Sequence, residues 1–315
     1  MNMQKNKNIR IFSIVTLIAI FLLISGCGSG PSTGLSSQYR TGTQGLELQF
    51  TTNSPPYIVY AEDGAFPVGV EIKNLGVYPG EGDGTLNAML YYFGFDRDII
   101  RGLTNEPVVF QELEAKTRYN PQGGFTVVSS EAEMDPAFFR DTRLDSYSAN
   151  IQAVLCYPYK TFASIDVCVD PNPNRASSLD SCRPGLVSGG SQGAPIAVSS
   201  VESISQREKA RFVVTIANVG GGTVIRDTEL GRCSDVNLNR EDMDKVLITN
   251  ARLSNGIPLT CTPSGHISLI NGRATIICMA EGLDENMPAF RTVLQMELSY
   301  GYKKSIERRI QIQGE

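Results

Sequence analysis

The chain has 315 residues, of which 41% are hydrophobic and 19% charged, which is enough for about two domains with cores of their own. Its formal net charge of −5 argues against a broad nucleic-acid-binding surface. A single His excludes any intramolecular site that needs two or three imidazoles, and 30 Gly and 16 Pro residues indicate many turns.

The first 26 residues have the layout of an export signal. Basic residues precede an apolar run, Ile11 to Ile24, which is too short for a comfortable bilayer span. The run ends in residues 23–27, Leu-Ile-Ser-Gly-Cys, which resemble the lipobox of prokaryotic lipoproteins. The resemblance implies that residues 1–26 are removed and that Cys27 carries the lipid. The alternatives are a secretory signal cut elsewhere or an uncleaved anchor, and each places the remaining chain outside the cytoplasm.

The predicted mature chain is acidic and begins with a polar segment. Removal of the signal leaves 25 Lys and Arg against 33 Asp and Glu, a net charge of −8, which disfavours adhesion to anionic lipid or nucleic acid. Residues 27–43 are rich in Gly and Ser, which predicts a flexible tether between the membrane and the folded part.

Two segments of alternating residues end in the same turn sequence, Asn-x-Gly. They are residues 66–76 and 212–220, and they align when Asn74 is placed on Asn218, 144 positions later. Asn and Gly suit a sharp turn because both tolerate a positive φ.

A second match occurs at nearly the same offset. Residues 151–160 align with residues 294–303, 143 positions later, and share Tyr-x-Tyr-Lys. A weaker match relates two predicted short helices, 96–103 and 239–247, with Asp96 and Asn239 as N-caps. Their common order predicts an internal duplication.

Each repeat holds about seven short strands between turns, which favours an antiparallel β-sandwich. The alternating strand followed by Asn-x-Gly resembles CARDB-type and related immunoglobulin-like domains of prokaryotic surface proteins. The resemblance implies that fold and a surface setting, and it brings no active site. We therefore expect an all-β chain of two tandem immunoglobulin-like sandwiches, each with a short helix. The predicted domains are residues 44–172 and 195–315, joined by a Cys/Gly/Ser-rich linker at 173–194.

Six cysteines follow Cys27, and an even number in an exported chain predicts disulfides. They are Cys156, Cys168, Cys182, Cys233, Cys261 and Cys278. Six cysteines allow 15 pairings. A zinc site is the alternative, but the sequence has no CxxC pair.

The repeat alignment suggests which cysteines pair. It places Cys156 and Cys168 on the outer face of a hairpin centred on Phe162, so these two are expected to bond. Residues 261 and 278, both Cys, flank an Asn-Gly turn and form a second expected pair. Cys182 then remains for Cys233.

Two motifs suggest chemistry, and each departs from the pattern that the chemistry needs. The sequence around Ser191 matches G-x-S-x-G, with His266 as the candidate base, but no strand–turn–helix pattern surrounds it. A Gly/Ser-rich linker explains it better. Residues 235–239 have the D-x-N-x-N spacing of a calcium loop, but Arg240 stands where the loop needs Gly.

Two residue clusters could bind a partner. A basic cluster near the C-terminus could contact an acidic partner or cell-wall polymer; it contains Lys303, Lys304, Arg308 and Arg309. Four tyrosines could stack on sugar rings, although their strand pattern favours packing: Tyr157, Tyr159, Tyr300 and Tyr302.

We therefore expect a non-catalytic lipoprotein of the cell surface, anchored to the membrane, without cofactor or metal. Its partner would be an envelope or extracellular protein or a polysaccharide, not nucleic acid, and it would act as a structural, adhesive or protein-interaction module. The alternatives are a saccharide- or peptide-binding lipoprotein, favoured by a concave aromatic cleft between the domains, and a hydrolase using Ser191.

Overall fold

The alternating residues form strands, as the sequence predicts. A computed structural model describes residues 39–80, 85–103, 106–111, 113–174, 181–234 and 238–314. Strands account for 54% of the structure and helices for 7%. The strands, numbered β1 to β17 in chain order, form two outer sheets and a longer central sheet.

One outer sheet belongs to the first repeat. Its antiparallel strands are, in spatial order, β1 (Leu46–Phe50), β3 (Ala65–Asn74), β7 (Phe125–Met134) and β5 (Ile100–Arg101). In β3 the inward residues Val68, Val70 and Ile72 are completely buried. Because side chains alternate across a strand, the polar residues between them lie on the outer face.

The other outer sheet belongs to the second repeat. Its antiparallel strands are, in spatial order, β14 (Thr260–Thr262), β16 (Arg273–Glu281), β11 (Lys209–Asn218), β10 (Ile196–Gln206) and β9 (Leu186–Ser188). Strand β11 repeats the pattern of β3, with Phe212, Val214 and Ile216 buried.

The central sheet contains strands from both repeats. Its main path is β15 (His266–Ser268), β13 (Lys245–Leu253), β17 (Phe290–Gln313), β8 (Ser146–Val169), β4 (Ala88–Phe93) and β6 (Val108–Phe110). Two further strands pair with β17: β12 (Thr223–Ile225), antiparallel, and β2 (Ile58–Tyr60), parallel.

The two longest of the described strands pair with each other in the middle of the central sheet. Strands β8 and β17 have 24 residues each and pair antiparallel over their full length. Tyr157 pairs with Tyr302, Pro158 with Gly301, and Tyr159 with Tyr300. The duplicated Tyr-x-Tyr motifs therefore cross at the centre of the pair, and the first half of each strand lies beside the second half of the other.

The two Asn-x-Gly turns have the same internal hydrogen bonds. Asn74 accepts the Gly76 N–H at Oδ1 and donates from Nδ2 to the carbonyl of Tyr78. Asn218 does the same with Gly220 and with the carbonyl four residues later. The repeat seen in the sequence thus extends to side-chain contacts.

The predicted hairpin around Phe162 is wrong, because β8 continues through it. Residues 160–164 contain none of the Gly, Pro, Asn or Asp residues that favour a turn. Cys156 and Cys168 lie 12 residues apart on one strand, about 40 Å at the usual rise, whereas a disulfide needs Cα atoms within about 7 Å. The predicted Cys156–Cys168 and Cys182–Cys233 bonds are therefore wrong.

All six cysteines nevertheless form disulfides. Cys261 and Cys278 bond as predicted, because they face each other across β14 and β16. The other two bonds join Cys156 to Cys233 and Cys168 to Cys182. The first of these links a strand of one repeat to a connecting segment of the other.

The short helices are not where the sequence predicts them. The one α-helix of the described residues, α1 (Pro136–Thr142), begins where the Asp135 carboxylate accepts the Ala137 N–H. Residues 96–103 form a turn and β5 instead of a helix, and residues 239–247 form a 3-10 turn and the start of β13. The described ranges also contain three 3-10 helices: η1 (Ala61–Asp63), η2 (Asp227–Arg232) and η3 (Arg240–Asp242).

The ranges predicted as domains share the central sheet. Residues Tyr39–Glu315 form one compact unit. Within the predicted linker, β9 pairs with β10, and the side chain of Gln192 bonds both the N–H and the carbonyl of Val198. Folded structure also begins before residue 44, since the Gly42 N–H donates to Ser191 Oγ.

Candidate functional site

A groove of about 1100 Å³ lies where the two repeats meet. Its floor is the outward face of three central strands, where two rows of paired residues cross β13, β17 and β8. One row is Asn250, Glu297 and Phe162, and the other is Arg252, Gln295 and Ser164. These side chains alternate with core residues, so the strand pattern itself presents them outward.

The wall of the groove comes from loops of the first repeat, residues 77–80 and 113–119, together with residues 39–40. Two backbone hydrogen bonds hold the first part of the longer loop. The Lys116 N–H donates to the carbonyl of Gly76, and the Gly124 N–H donates to the carbonyl of Glu114. Backbone hydrogen bonds therefore fix this part of the wall to the first repeat.

The described residues that line the groove carry more cations than anions. Among them, four cationic side chains stand against two carboxylates: Arg40, Lys116, Arg118 and Arg252 against Glu114 and Glu297. Glu297 is paired with Lys160 at 3.2 Å. Among the described residues none of the four lining cations has an ion pair. Partial burial, with the nearby charge of Lys73, lowers the pKa of the Lys116 ammonium.

Two Arg–Tyr neighbours stand on the rim. The Arg118 guanidinium lies 5.1 Å from the ring centre of Tyr119, and Arg40 lies 5.7 Å from that of Tyr39. The Tyr119 side chain is 84% exposed. Such pairs hold a planar cation beside an aromatic face, an arrangement that can contact a flat or anionic ligand.

One edge of β8 runs along the groove. Strand β4 pairs with residues 152–156 of β8, and beyond that point only β17 pairs with it among the described residues. No backbone hydrogen bond from another described segment reaches residues 161–167. This stretch is therefore an edge of the central sheet.

The equivalent face in the first repeat is closed. There Tyr91, Val154 and Cys156 form a small apolar cluster with Ile225 and Cys233. The covering segment, residues 225–233, contains η2 and is here named the plug. The Cys156–Cys233 disulfide fixes the plug to the sheet. The structure thus has one closed and one open copy of the same face.

The four predicted tyrosines lie in the core. All are at most 1% exposed, and their rings contact one another at centroid distances of 5.7 to 6.3 Å. Burial raises the pKa of Tyr302 to about 12 and raises that of the other three as well. These hydroxyls bond backbone and interior side chains, so they do not form a sugar site.

Most of the basic cluster is also engaged within the protein. Lys303 donates to the carbonyl of Cys233, and Lys304 pairs with Glu47. Arg308 donates to the carbonyls of residues 51 and 55, and its guanidinium lies against the rings of Phe50 and Tyr57. The cluster joins the end of β17 to the first repeat.

The residues of the G-x-S-x-G motif have separate partners. Ser191 Oγ accepts the Gly42 N–H at 3.1 Å, and His266 Nε2 lies 2.9 Å from Asp227 Oδ1. Ser191 belongs to the loop before β10, and His266 begins β15. Each of these two side chains is therefore bonded to a different part of the protein.

Other predicted features lie outside the described residues. These are Cys27 with its lipobox and signal, and the first three positions of the calcium-type loop. Within the described ranges, no three acidic, His or Cys side chains are grouped as metal ligands. No helix of the same ranges is long and apolar enough to cross a membrane. The three disulfides fit an oxidising compartment outside the cytoplasm.

The motifs of the sequence do not include the groove residues. A signal was nevertheless present: Glu297 stands at the position of Val154 in the repeat, and Ser299 at that of Cys156. A polar residue replacing an apolar one at an outward position marks a face that is not covered in the same way.

Comparison with known proteins assigns no family. No family model matches the chain, and no curated protein does. A solved structure, that of a conserved protein of unknown function from Pseudomonas aeruginosa, shares 7% identity over 83% of this chain and 99% of its own, with a TM-score of 0.09.

Proposed function

We propose that this protein is a lipid-anchored, non-catalytic interaction module outside the cytoplasm, and that the groove is its contact surface. The lipobox-like sequence before Cys27, the predicted tether and the three disulfides support the location. The anchor is the diacylglycerol-modified thiol of Cys27, which holds a protein at a membrane through its acyl chains.

We further infer that each repeat is an immunoglobulin-like antiparallel sandwich. Each outer sheet faces the central sheet across a core of alternating residues, which is the layering of a sandwich. A rigid scaffold of this kind can present loops and strand edges to a partner. The structural and adhesive part of the proposed function depends on this rigidity.

One observation carries the proposal: the described residues leave open in the second repeat a face that is covered in the first. The open face is largely polar, has a wall with cationic side chains built by the other repeat, and retains the strand pairing of its covered counterpart. The open face is more polar than its duplicate and is not covered, whereas the core residues of the two repeats are alike. We take this difference as the mark of a binding site.

The groove would also lie close to the membrane. Residues 39 and 40 line it, and only 12 peptide units separate Tyr39 from Cys27. A chain of this length reaches at most about 40 Å. A partner of the groove would therefore be met near the membrane surface.

A saccharide ligand is the second candidate. The specific observation in its favour is the pair of exposed Arg–Tyr neighbours on the rim, because aromatic faces can stack on sugar rings and guanidinium groups can bind carboxylates. The strand edge within the groove favours a protein partner instead.

The anchor can be tested directly. We expect mass spectrometry of the mature protein to find an N-terminal, diacylglycerol-modified Cys27, and detergent-phase partitioning to depend on it. Cys27→Ser should abolish the modification and the partitioning. An unmodified N-terminus elsewhere in the chain would contradict lipid anchoring and leave the groove to be tested separately.

The groove can be tested by co-sedimentation of the detergent-solubilised full chain with native envelope material. We expect Lys116→Glu with Arg118→Glu to abolish sedimentation, because both charges lie in the wall. Arg273→Glu is the matched control, since Arg273 is exposed on β16 of an outer sheet. Sedimentation that survives the wall substitutions would overturn the groove as contact surface.

A further inference from the structure

We propose that the groove binds an extended acidic segment of a partner protein, which adds as a strand to the edge of β8. The inference rests on the proposed function and goes beyond it by naming the chemistry of the occupant. Two independent observations carry it: a strand edge without a described partner strand, and a wall and floor whose described residues together carry more cations than anions.

The strand edge supplies the backbone recognition. Residues 161–167 of β8 pair with β17 on one side and with no described strand on the other. Edge strands offer a row of N–H and C=O groups to an incoming chain. A peptide that lay along this edge would extend the central sheet at the usual strand spacing of about 4.8 Å.

The equivalent strand, β17, shows that short strands can add to such an edge in this architecture. Its second half is joined by two short strands of the chain itself, β12 at residues 301–303 and β2 at residues 311–313, and β2 pairs in parallel. Residues 304–310 lie between them, match residues 161–167 at the offset of 143, and likewise pair only with β8 among the described strands.

The side chains around the edge select the charge of the segment. Phe162 and Ser164 face the groove, while the residues between and beside them face the core. Lys116 and Arg118 of the wall line the same groove, and Arg252 belongs to its floor. Alternate carboxylates of an added strand would point to this side, where the cations are not neutralised by described acids.

An acidic saccharide would satisfy the charges and the rim, but it would leave the strand edge unpaired. A basic peptide would satisfy the edge but oppose the charges. The acidic extended peptide satisfies both, so we assign the groove to it and keep the acidic saccharide as an outcome of the test.

The test uses the full chain in detergent micelles and four fluorescent probes. The first is a short acetylated peptide that alternates Glu and Val. Two others carry the same sequence with N-methylated alternate amides, or with Lys in place of Glu. The fourth is an oligogalacturonate of the same charge. Fluorescence anisotropy at low and high salt measures the dissociation constants.

We expect the Glu/Val peptide to bind with a dissociation constant of about 1 mM or tighter, and more weakly at high salt. N-methylation and the Lys substitution should each abolish binding. Lys116→Gln with Arg118→Gln should weaken it about tenfold, whereas Arg273→Gln, on an outer sheet, should leave it unchanged.

Equal binding of the N-methylated peptide would overturn strand addition. Binding of the oligogalacturonate without the peptide would overturn the assignment in favour of a saccharide. Failure of all four probes, while envelope co-sedimentation still depends on Lys116 and Arg118, would overturn this inference and leave the proposed function standing. Loss of that dependence would overturn the proposed function itself.

Discussion

The outward face of the central sheet differs between the two repeats, although the strands beneath it are equivalent. In the first repeat Tyr91 pairs across the sheet with Val154, and the plug covers both. In the second repeat Asn250 pairs with Glu297 at the same place, and the groove leaves them accessible. The same backbone thus supports a buried apolar cluster on one side and a cationic groove on the other.

The buried cores of the two repeats, in contrast, have kept the same contacts. The hydroxyls of Tyr159 and Tyr302 each accept a backbone N–H beyond an Asn-x-Gly turn, from Tyr78 and Gly222 respectively. Buried polar groups need partners, so a change inside would leave a donor or acceptor unsatisfied. An outward face has no such constraint, and there the duplicated unit could acquire a different surface.

Exchanging residues between the two faces should have the largest effect. Val154 is 2% exposed under the plug, so Val154→Glu buries a carboxylate without a partner and should lower the free energy of unfolding by about 3–5 kcal/mol. The reverse exchange, Glu297→Val in the groove, should cost less than about 1 kcal/mol. Urea denaturation measures both. Equal losses would show that the groove floor is as closed as the plugged face.

Releasing the plug should have the next largest effect. Cys156→Ser with Cys233→Ser should cost about 2–4 kcal/mol, and hydrogen exchange should rise in residues 225–233. Cys261→Ser with Cys278→Ser is the matched control, because that disulfide lies within one repeat. It closes 17 residues rather than 77, so the chain-entropy model expects it to cost about 1 kcal/mol less. Unchanged exchange in the plug would mean that packing alone closes this face.

The shared core should respond equally in both repeats. Tyr159→Phe and Tyr302→Phe should each cost about 1–3 kcal/mol, because each removes the acceptor of a backbone N–H that is buried or half-buried. Tyr119→Phe, at the exposed rim, should change the free energy of unfolding by less than about 0.5 kcal/mol. A loss of stability in only one of these two variants would show that the repeats differ in their cores as well as on their outward faces.

The last effect concerns alkaline pH and is absent at neutral pH. Burial raises the pKa of Tyr302 to about 12, while an unfolded Tyr loses its proton near 10. The folded state therefore keeps the proton longer, and the stabilisation present below pH 10 is lost as pH rises toward 12. Tyr302→Phe should flatten this fall by at most about 1.4 kcal/mol per pH unit, measured by urea denaturation between pH 8 and 12. If the stability of the variant falls with pH at the same rate, ionisation of Tyr302 does not contribute to the pH dependence.

The duplication could be read from the sequence because buried residues repeat with the strand period. Asn74 and Asn218, with the Tyr-x-Tyr motifs, mark equivalent places in both repeats. The continuation of β8 beyond Phe162 could not be read with the same ease, because alternation gives the face of each residue but not where a strand ends. One misplaced turn was enough to mispair four of the six cysteines.

The sequence by itself determined the strand-built class, the two-fold repeat and the inward faces, because these depend on the local alternation of apolar and polar residues. Only the tertiary structure decided the common central sheet, the partners of Cys156 and Cys168, and which outward face stays open. These depend on contacts between residues far apart in the chain, and no short pattern encodes which distant segment will cover a given strand.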